Sequence, residues 1–267
     1  MSSPKARAAA NPPAAASRAR ITAVTSGKGG VGKTFASTNL AAALAHMGQR
    51  VLVLDADLGL ANVDVVLNLF PKLTLHDVFT GQCRLADAVL PAPGGFSVLL
   101  AGSGMVEYSR LTPHVRDQLQ AAVAEMAPQF DVVLLDTGAG ISDVVLYTVS
   151  LADEVLVVAT PEPTSLTDAY ATIKVLASTQ GRREVRLLVN QTLKPTDARN
   201  VRNQLQAVVD RYVNPGLDSP MRVELLGGIP ADAAVRESAQ RRQLLLLASP
   251  GASASTAITE AAARLLA

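Results

Sequence analysis

No tryptophan occurs in this chain, and aromatic residues make up only 3% of it. Single-stranded nucleic acid is gripped by rows of aromatic side chains on which bases stack, so nucleic acid is not an expected partner. An excess of one charge is lacking too. The 24 Lys and Arg residues face 23 Asp and Glu, a formal balance of +1 that gives no whole-molecule attraction to polyanions. Cysteine appears once, as Cys83. One thiol cannot close an internal disulfide, nor hold a zinc ion or an iron–sulfur cluster through cysteine ligands. No apolar run approaches the roughly 18 residues that a membrane-spanning helix requires, and the expected location is the cytoplasm.

What is present is core-forming material. Apolar residues fill 49% of the 267 positions and charged residues 18%, enough to cover both faces of a sheet. Residues 1–20, MSSPKARAAANPPAAASRAR, differ from all that follows, with four basic residues and no acidic one. They lack the apolar segment of a secretory signal, and their prolines interrupt any amphipathic helix. The composition predicts a disordered tail, with a weak contact to acidic lipid or to a partner as the alternative. Residues 21–267 read as one domain.

Within that domain short apolar runs alternate with helical patterns. The expected strands are 21–25, 51–55, 96–100, 131–136, 154–159, 185–190 and 222–227. Most are continuous rather than alternating, as in strands buried on both faces of a parallel sheet. Helices are predicted over 34–47, closed by Gly48, over 113–126, closed before Pro128, and from Ser165 through 178, with Asp168 completing a capping box. The pattern predicts an α/β fold: a doubly wound, mostly parallel sheet of about seven strands with helices on both faces. Ligands of such sheets sit beyond the carboxyl ends of the strands, where the motifs below fall.

The stretch S-G-K-G-G-V-G-K-T at 26–34 satisfies two phosphate-binding patterns at once. Gly27, Gly29 and Gly32 spell the dinucleotide fingerprint, and Asp55 ends the next strand about twenty residues on, where a ribose-binding acid belongs. Gly27, Gly32, Lys33 and Thr34 also spell the phosphate loop of a nucleoside-triphosphatase. Lys33 and Thr34 decide between them. A dinucleotide pyrophosphate needs neither, whereas a triphosphate with Mg²⁺ needs a lysine on its terminal phosphates and a hydroxyl on the metal. Asp136, ending V-V-L-L-D, supplies the strand-end carboxylate that anchors Mg²⁺ in phosphate-loop enzymes. A nucleoside triphosphate and Mg²⁺ are therefore the expected ligands.

Lys28 is redundant beside Lys33 within one subunit. Either it reaches across to a second triphosphate, supplying charge in trans as an arginine finger does, or it is a solvated surface lysine. Of the two acids in L-D-A-D, one suits the metal's water shell and the other the attacking water. Gly138 and Gly140 in T-G-A-G would let backbone amides approach the γ-phosphate and move once it leaves, with Asp55 as a further switch residue.

The loop with its extra lysine resembles the deviant Walker A loop of the MinD/ParA ATPases. D-A-D-L-G-L-A-N-V-D (55–64), L-L-D-T-G-A-G-I-S (134–142) and P-E-P-T-S-L-T-D-A-Y-A-T-I-K (161–174) are similar to the flagellar-number regulators of the FlhG/FleN branch. The resemblance implies an ATP-dependent homodimer with slow hydrolysis as its timer. Gly29, Gly30, Val31, Gly32, Lys33, Thr34 and Phe35 would surround the nucleotide, Lys28 would cross the dimer interface, and Asp57 would polarise the water. Asn190 and the I-P-A-D loop with Pro230 and Asp232 would line the adenine pocket, although Asn190 equally suits a strand-end turn.

Implied partners are a signal-recognition-type GTPase, a flagellar transcription activator or a switch-ring component. Recruitment by such a partner would take the protein to the cytoplasmic face of the membrane or to the cell pole. Direct membrane binding is expected to be weak, since the final A-I-T-E-A-A-A-R-L-L-A suits a core-packing helix through Ile258, Ala262, Leu265 and Leu266. Residues 1–20 also lack the D-Q-A-x-x-L-R element with which many relatives activate their GTPase. Two alternatives stand: a ParA-like cargo positioner on DNA, permitted by the basic residues at 181–186, Arg199 and Arg202, and an ATP-sensing scaffold without turnover.

Overall fold

A computed structural model describes residues 18–59, 61–102, 108 and 110–267. The predicted tail lies, up to residue 17, outside the described residues. Eight strands form one sheet: β1 (Arg20–Ser26), β2 (Val51–Ala56), β3 (Val89–Pro91), β4 (Ser97–Leu99), β5 (Val132–Ala139), β6 (Glu154–Ala159), β7 (Glu184–Thr192) and β8 (Arg222–Pro230). Between and after them run the helices α1 (Lys33–His46), α2 (Val63–Leu67), α3 (Leu75–Phe79), α4 (Leu85–Ala88), α5 (Pro113–Met126) and α6 (Asp143–Ser150). The remainder are α7 (Pro163–Thr179), α8 (Asp197–Tyr212), α9 (Ala233–Gln240), α10 (Leu245–Ala248) and α11 (Ser253–Leu266).

The strand order is β3-β4-β2-β5-β1-β6-β7-β8, and every neighbouring pair is parallel except β3 with β4. The continuous apolar strands are buried on both faces, as parallel pairing under helices requires. Leu52, Leu54, Val133 and Leu135 face one core layer, and Val51, Val53, Val132 and Leu134 face the other. The first layer is covered by α5, α6, α7 and α8, the second by α1 and α11. Small residues over much of α1 let it sit between the sheet and α11, so that positions 36–44 are all buried. In α11, Ile258, Ala262 and Leu265 are fully buried and Leu266 packs at the edge of the same layer.

The structure differs from the sequence expectation in several places, among them β7 and β8, which run on to Thr192 and Pro230. The sheet has eight strands rather than about seven; the extra one, β3, is a three-residue antiparallel edge containing Pro91, too short for periodicity and tolerant of proline only because it is an edge. The ordered fold begins before residue 21: Ala19 is buried, Arg18 pairs with Asp153, and the Arg20 amide donates to the Asp131 carbonyl at 2.9 Å. Helix α7 starts at Pro163, whose fixed φ suits the first helical position. Ser165 makes no capping box with Asp168; its Oγ accepts the Thr160 amide at 3.0 Å and pins the turn out of β6. Strand β5 continues past Asp136 through Ala139: a register shift after Val24 brings Ala139 opposite Ser26, and the Gly140 amide donates to the Ser26 carbonyl.

Candidate functional site

The loop between β1 and α1 stands at the middle of the sheet, where β1 lies between β5 and β6 and the winding direction reverses. That is the crevice in which doubly wound sheets take ligands. Two positions in the loop require glycine for different reasons. Gly32 has φ 96° and ends the loop directly before α1. Gly27 has ordinary torsions, but a Cβ there would overlap the backbone carbonyl of Asp168 in α7. No side chain caps α1, so its first amides and the positive end of its dipole face the loop, an arrangement that favours an anion.

Around this helix start the fold gathers the charged groups expected from the sequence. Asp55 and Asp136 are paired in register, one residue before the end of β2 and three before the end of β5, and both are buried. Asp136 accepts the hydroxyl of Ser37 at 2.8 Å and that of Thr34, one turn earlier. Burial raises the Asp136 carboxyl to about 6 against those hydrogen bonds and the Lys33 charge. Asp55 is pushed well above the usual carboxylate range by burial and by Asp136, although it accepts the Asp57 amide at 3.2 Å and faces the Val63 amide. Burial lowers the Lys33 ammonium, opposed by Asp136 and then Asp57. Asp57 closes the group on the side of Gly138, where a Cβ would sit 3.4 Å from its Oδ1. Among the described residues no three carboxylate, His or Cys side chains form a ready metal cage. One carboxylate beside one hydroxyl is instead the partial ligand set of Mg²⁺, which keeps waters and takes the rest of its oxygens from phosphate.

On the other side of Gly32 a cavity of about 500 Å³ is lined by Gly32, Phe35, Asn190, Pro230 and Asp232, with Gln191 and residues of α9 completing it. The expected pocket residues are thus together, but two have other commitments. Asn190 donates Nδ2 to the Val31 carbonyl and accepts the Gln191 amide, both at 2.9 Å, so its side chain braces the phosphate loop. Asp232 accepts the amides of Ala234 and Ala254 and the hydroxyl of Ser253, tying the starts of α9 and α11 together. Those hydrogen bonds, led by the Ala234 amide, hold its carboxyl below the usual range.

Lys28 stands apart from this group. Its Nζ lies 3.0 Å from both Glu162 Oε2 and Thr164 Oγ1 at the start of α7. Gly29 faces open space, as do Gly30 and Gly140, at φ 80° and 87°. Sequence reasoning missed Ser37, Glu162, Thr164, Gln191 and Arg236. Only Ser37 left a usable signal, a hydroxyl one helical turn past Lys33 in an otherwise alanine-rich stretch.

A sequence family described as an AAA domain matches residues 19–193. The septum site-determining protein MinD of Bacillus subtilis is 34% identical over 245 residues, 91% of this chain and 87% of that protein. The chain belongs to the MinD/ParA family of P-loop ATPases. Within that family it is 45% identical to the antiactivator FleN of Pseudomonas aeruginosa over 238 residues, 89% of this chain and 83% of that protein. Among solved structures it is similar to MinD complexed with Mg-ADP from Pyrococcus horikoshii, with TM-score 0.72, 27% identity and coverage of 92% and 96%. The MinC:MinD cell division complex of Aquifex aeolicus matches with TM-score 0.75, 29% identity and coverage of 93% and 96%. A MinD/ParA ATPase close to FleN fits the paired acids of β2 and β5, the phosphate loop and its second lysine. Among the described residues no helix is long and apolar enough to cross a membrane.

Proposed function

We propose that this chain is an ATP-dependent switch that dimerises with ATP, hydrolyses it slowly with Mg²⁺, and regulates the number or placement of flagella. The observation that carries the reading is the convergence of Lys33, Thr34, Asp57 and Asp136 at an uncapped helix start. Loop amides and Lys33 would hold the phosphates. Thr34, and Asp136 through water, would hold Mg²⁺, which when bound offsets phosphate charge. Asp57 would orient the water, and Asp55 keeps Asp57 in place through its amide. The Gly138 and Gly140 backbone would sense the terminal phosphate.

In this reading the pairing of Lys28 with Glu162 and Thr164 would belong to the monomer. An exposed pair of this kind contributes at most about 1 kcal/mol, so the lysine leaves it easily for the charge of a second triphosphate. Similarity to FleN, together with the three stretches at 55–64, 134–142 and 161–174, supports a flagellar rather than a division role. A GTPase, a transcription activator or a switch-ring component is the partner class. Membrane recruitment would be partner-mediated from the cytoplasm.

Filament counts by electron microscopy test the cellular role. Deletion should give too many or misplaced flagella, and Asp57→Ala, trapped with ATP, too few. Normal flagella in both strains, with faulty plasmid or chromosome partition, would move the protein to a cargo-positioning role.

A further inference from the structure

Two long polar side chains on the wall of the 500 Å³ cavity have no work in the fold. Arg236, in α9, is exposed and pairs with no acid among the described residues. Gln191 is exposed and has φ 58°, a conformation that a non-glycine residue adopts at a cost. That cost is sustained by Asn190, which holds Val31 on one side and the Gln191 amide on the other. Arg236 is equally well placed. It sits one turn past Asp232, whose carboxylate fixes the start of α9 against α11.

We propose that Gln191 and Arg236 form a clamp for the nucleotide base, Arg236 stacking on its face and Gln191 hydrogen-bonding its edge. This rests on the nucleotide reading of the site. The cavity lies beyond Gly32, away from Asp55, Asp57 and Asp136, so a triphosphate on the loop would direct its base there. Beside Asn190 and Asp232, which are tied into the fold, the rest of the lining is mostly apolar and fits a flat ring: Phe35, Pro230, Val235 and Ala239. A planar guanidinium stacks on an aromatic face as an ammonium does not. A carboxamide offers the donor and acceptor that pair with a purine edge.

Calorimetric titration with ATP and with inorganic tripolyphosphate tests the clamp on the full chain. Arg236→Ala should weaken ATP binding about five- to tenfold and leave tripolyphosphate binding unchanged, with the kinetic loss in KM rather than kcat. Arg236→Lys should not restore it. Gln191→Gly, which relieves the backbone, should melt no lower than the parent protein while losing about fivefold in ATP affinity. Equal ATP binding by the Arg236 and Gln191 variants, or an equal loss for tripolyphosphate, would overturn the clamp. Failure of the unaltered protein to bind ATP at all would instead overturn the nucleotide reading beneath it.

Discussion

Removing the charge of Asp136 should stabilise the nucleotide-free protein while destroying its response to ATP. Asp136 is 2% exposed, and its carboxyl is raised from the ordinary 3.8 to about 6, a value that already includes its attraction to Lys33. A carboxylate raised in the folded state opposes folding above the folded pKa, because the unfolded chain ionises more easily. The penalty is complete at neutral pH and fades as pH falls from about 6 toward 3.8. A difference of about two pKa units corresponds to about 3 kcal/mol. For a chain of this size that is roughly 5–10 °C in melting temperature.

Asp136→Asn keeps the shape, and its oxygen can still accept from Ser37 and Thr34. In EDTA at pH 7.5 the variant should therefore melt roughly 5–10 °C above the parent, and the gap should narrow as pH approaches 4. With ATP and Mg²⁺ the parent should gain stability and the variant should not. A variant that melts at or below the parent at pH 7.5, or a gap unchanged at pH 4, would refute the electrostatic argument.

Other perturbations separate the remaining roles. Lys28→Ala should still bind ATP but fail to dimerise or turn over, whereas Lys33→Ala should lose binding; light scattering that shows a normal ATP dimer for Lys28→Ala would remove the trans role. Gly27→Ala should destabilise by about 1–3 kcal/mol in denaturant melts, because its Cβ meets the Asp168 backbone rather than a movable side chain; wild-type stability would show that α7 yields there. Co-sedimentation with anionic liposomes and ATP should leave most protein in the supernatant, since the apolar face of α11 is buried in the core. Strong pelleting would reveal an anchor elsewhere.

Much of the fold was legible because its determinants are local. Continuous apolar runs mark strands covered on both sides, and the 154–159 run and the 113–126 helix match the structure residue for residue. The phosphate loop was legible for a similar reason: glycine, lysine and threonine at fixed spacing have few other uses. The sequence by itself thus determined the sheet, the loop and the acids carried on its strands. Tertiary structure alone decided what those residues touch. Gly27 is required by α7, some 140 positions away; Asn190 braces Val31; Asp232 joins two helix starts; and Lys28 rests on Glu162. β3 exists only because β4 offers it an edge. Each depends on backbones brought together by the winding of the sheet, and residue type carries no record of a neighbour that arrives from so far along the chain.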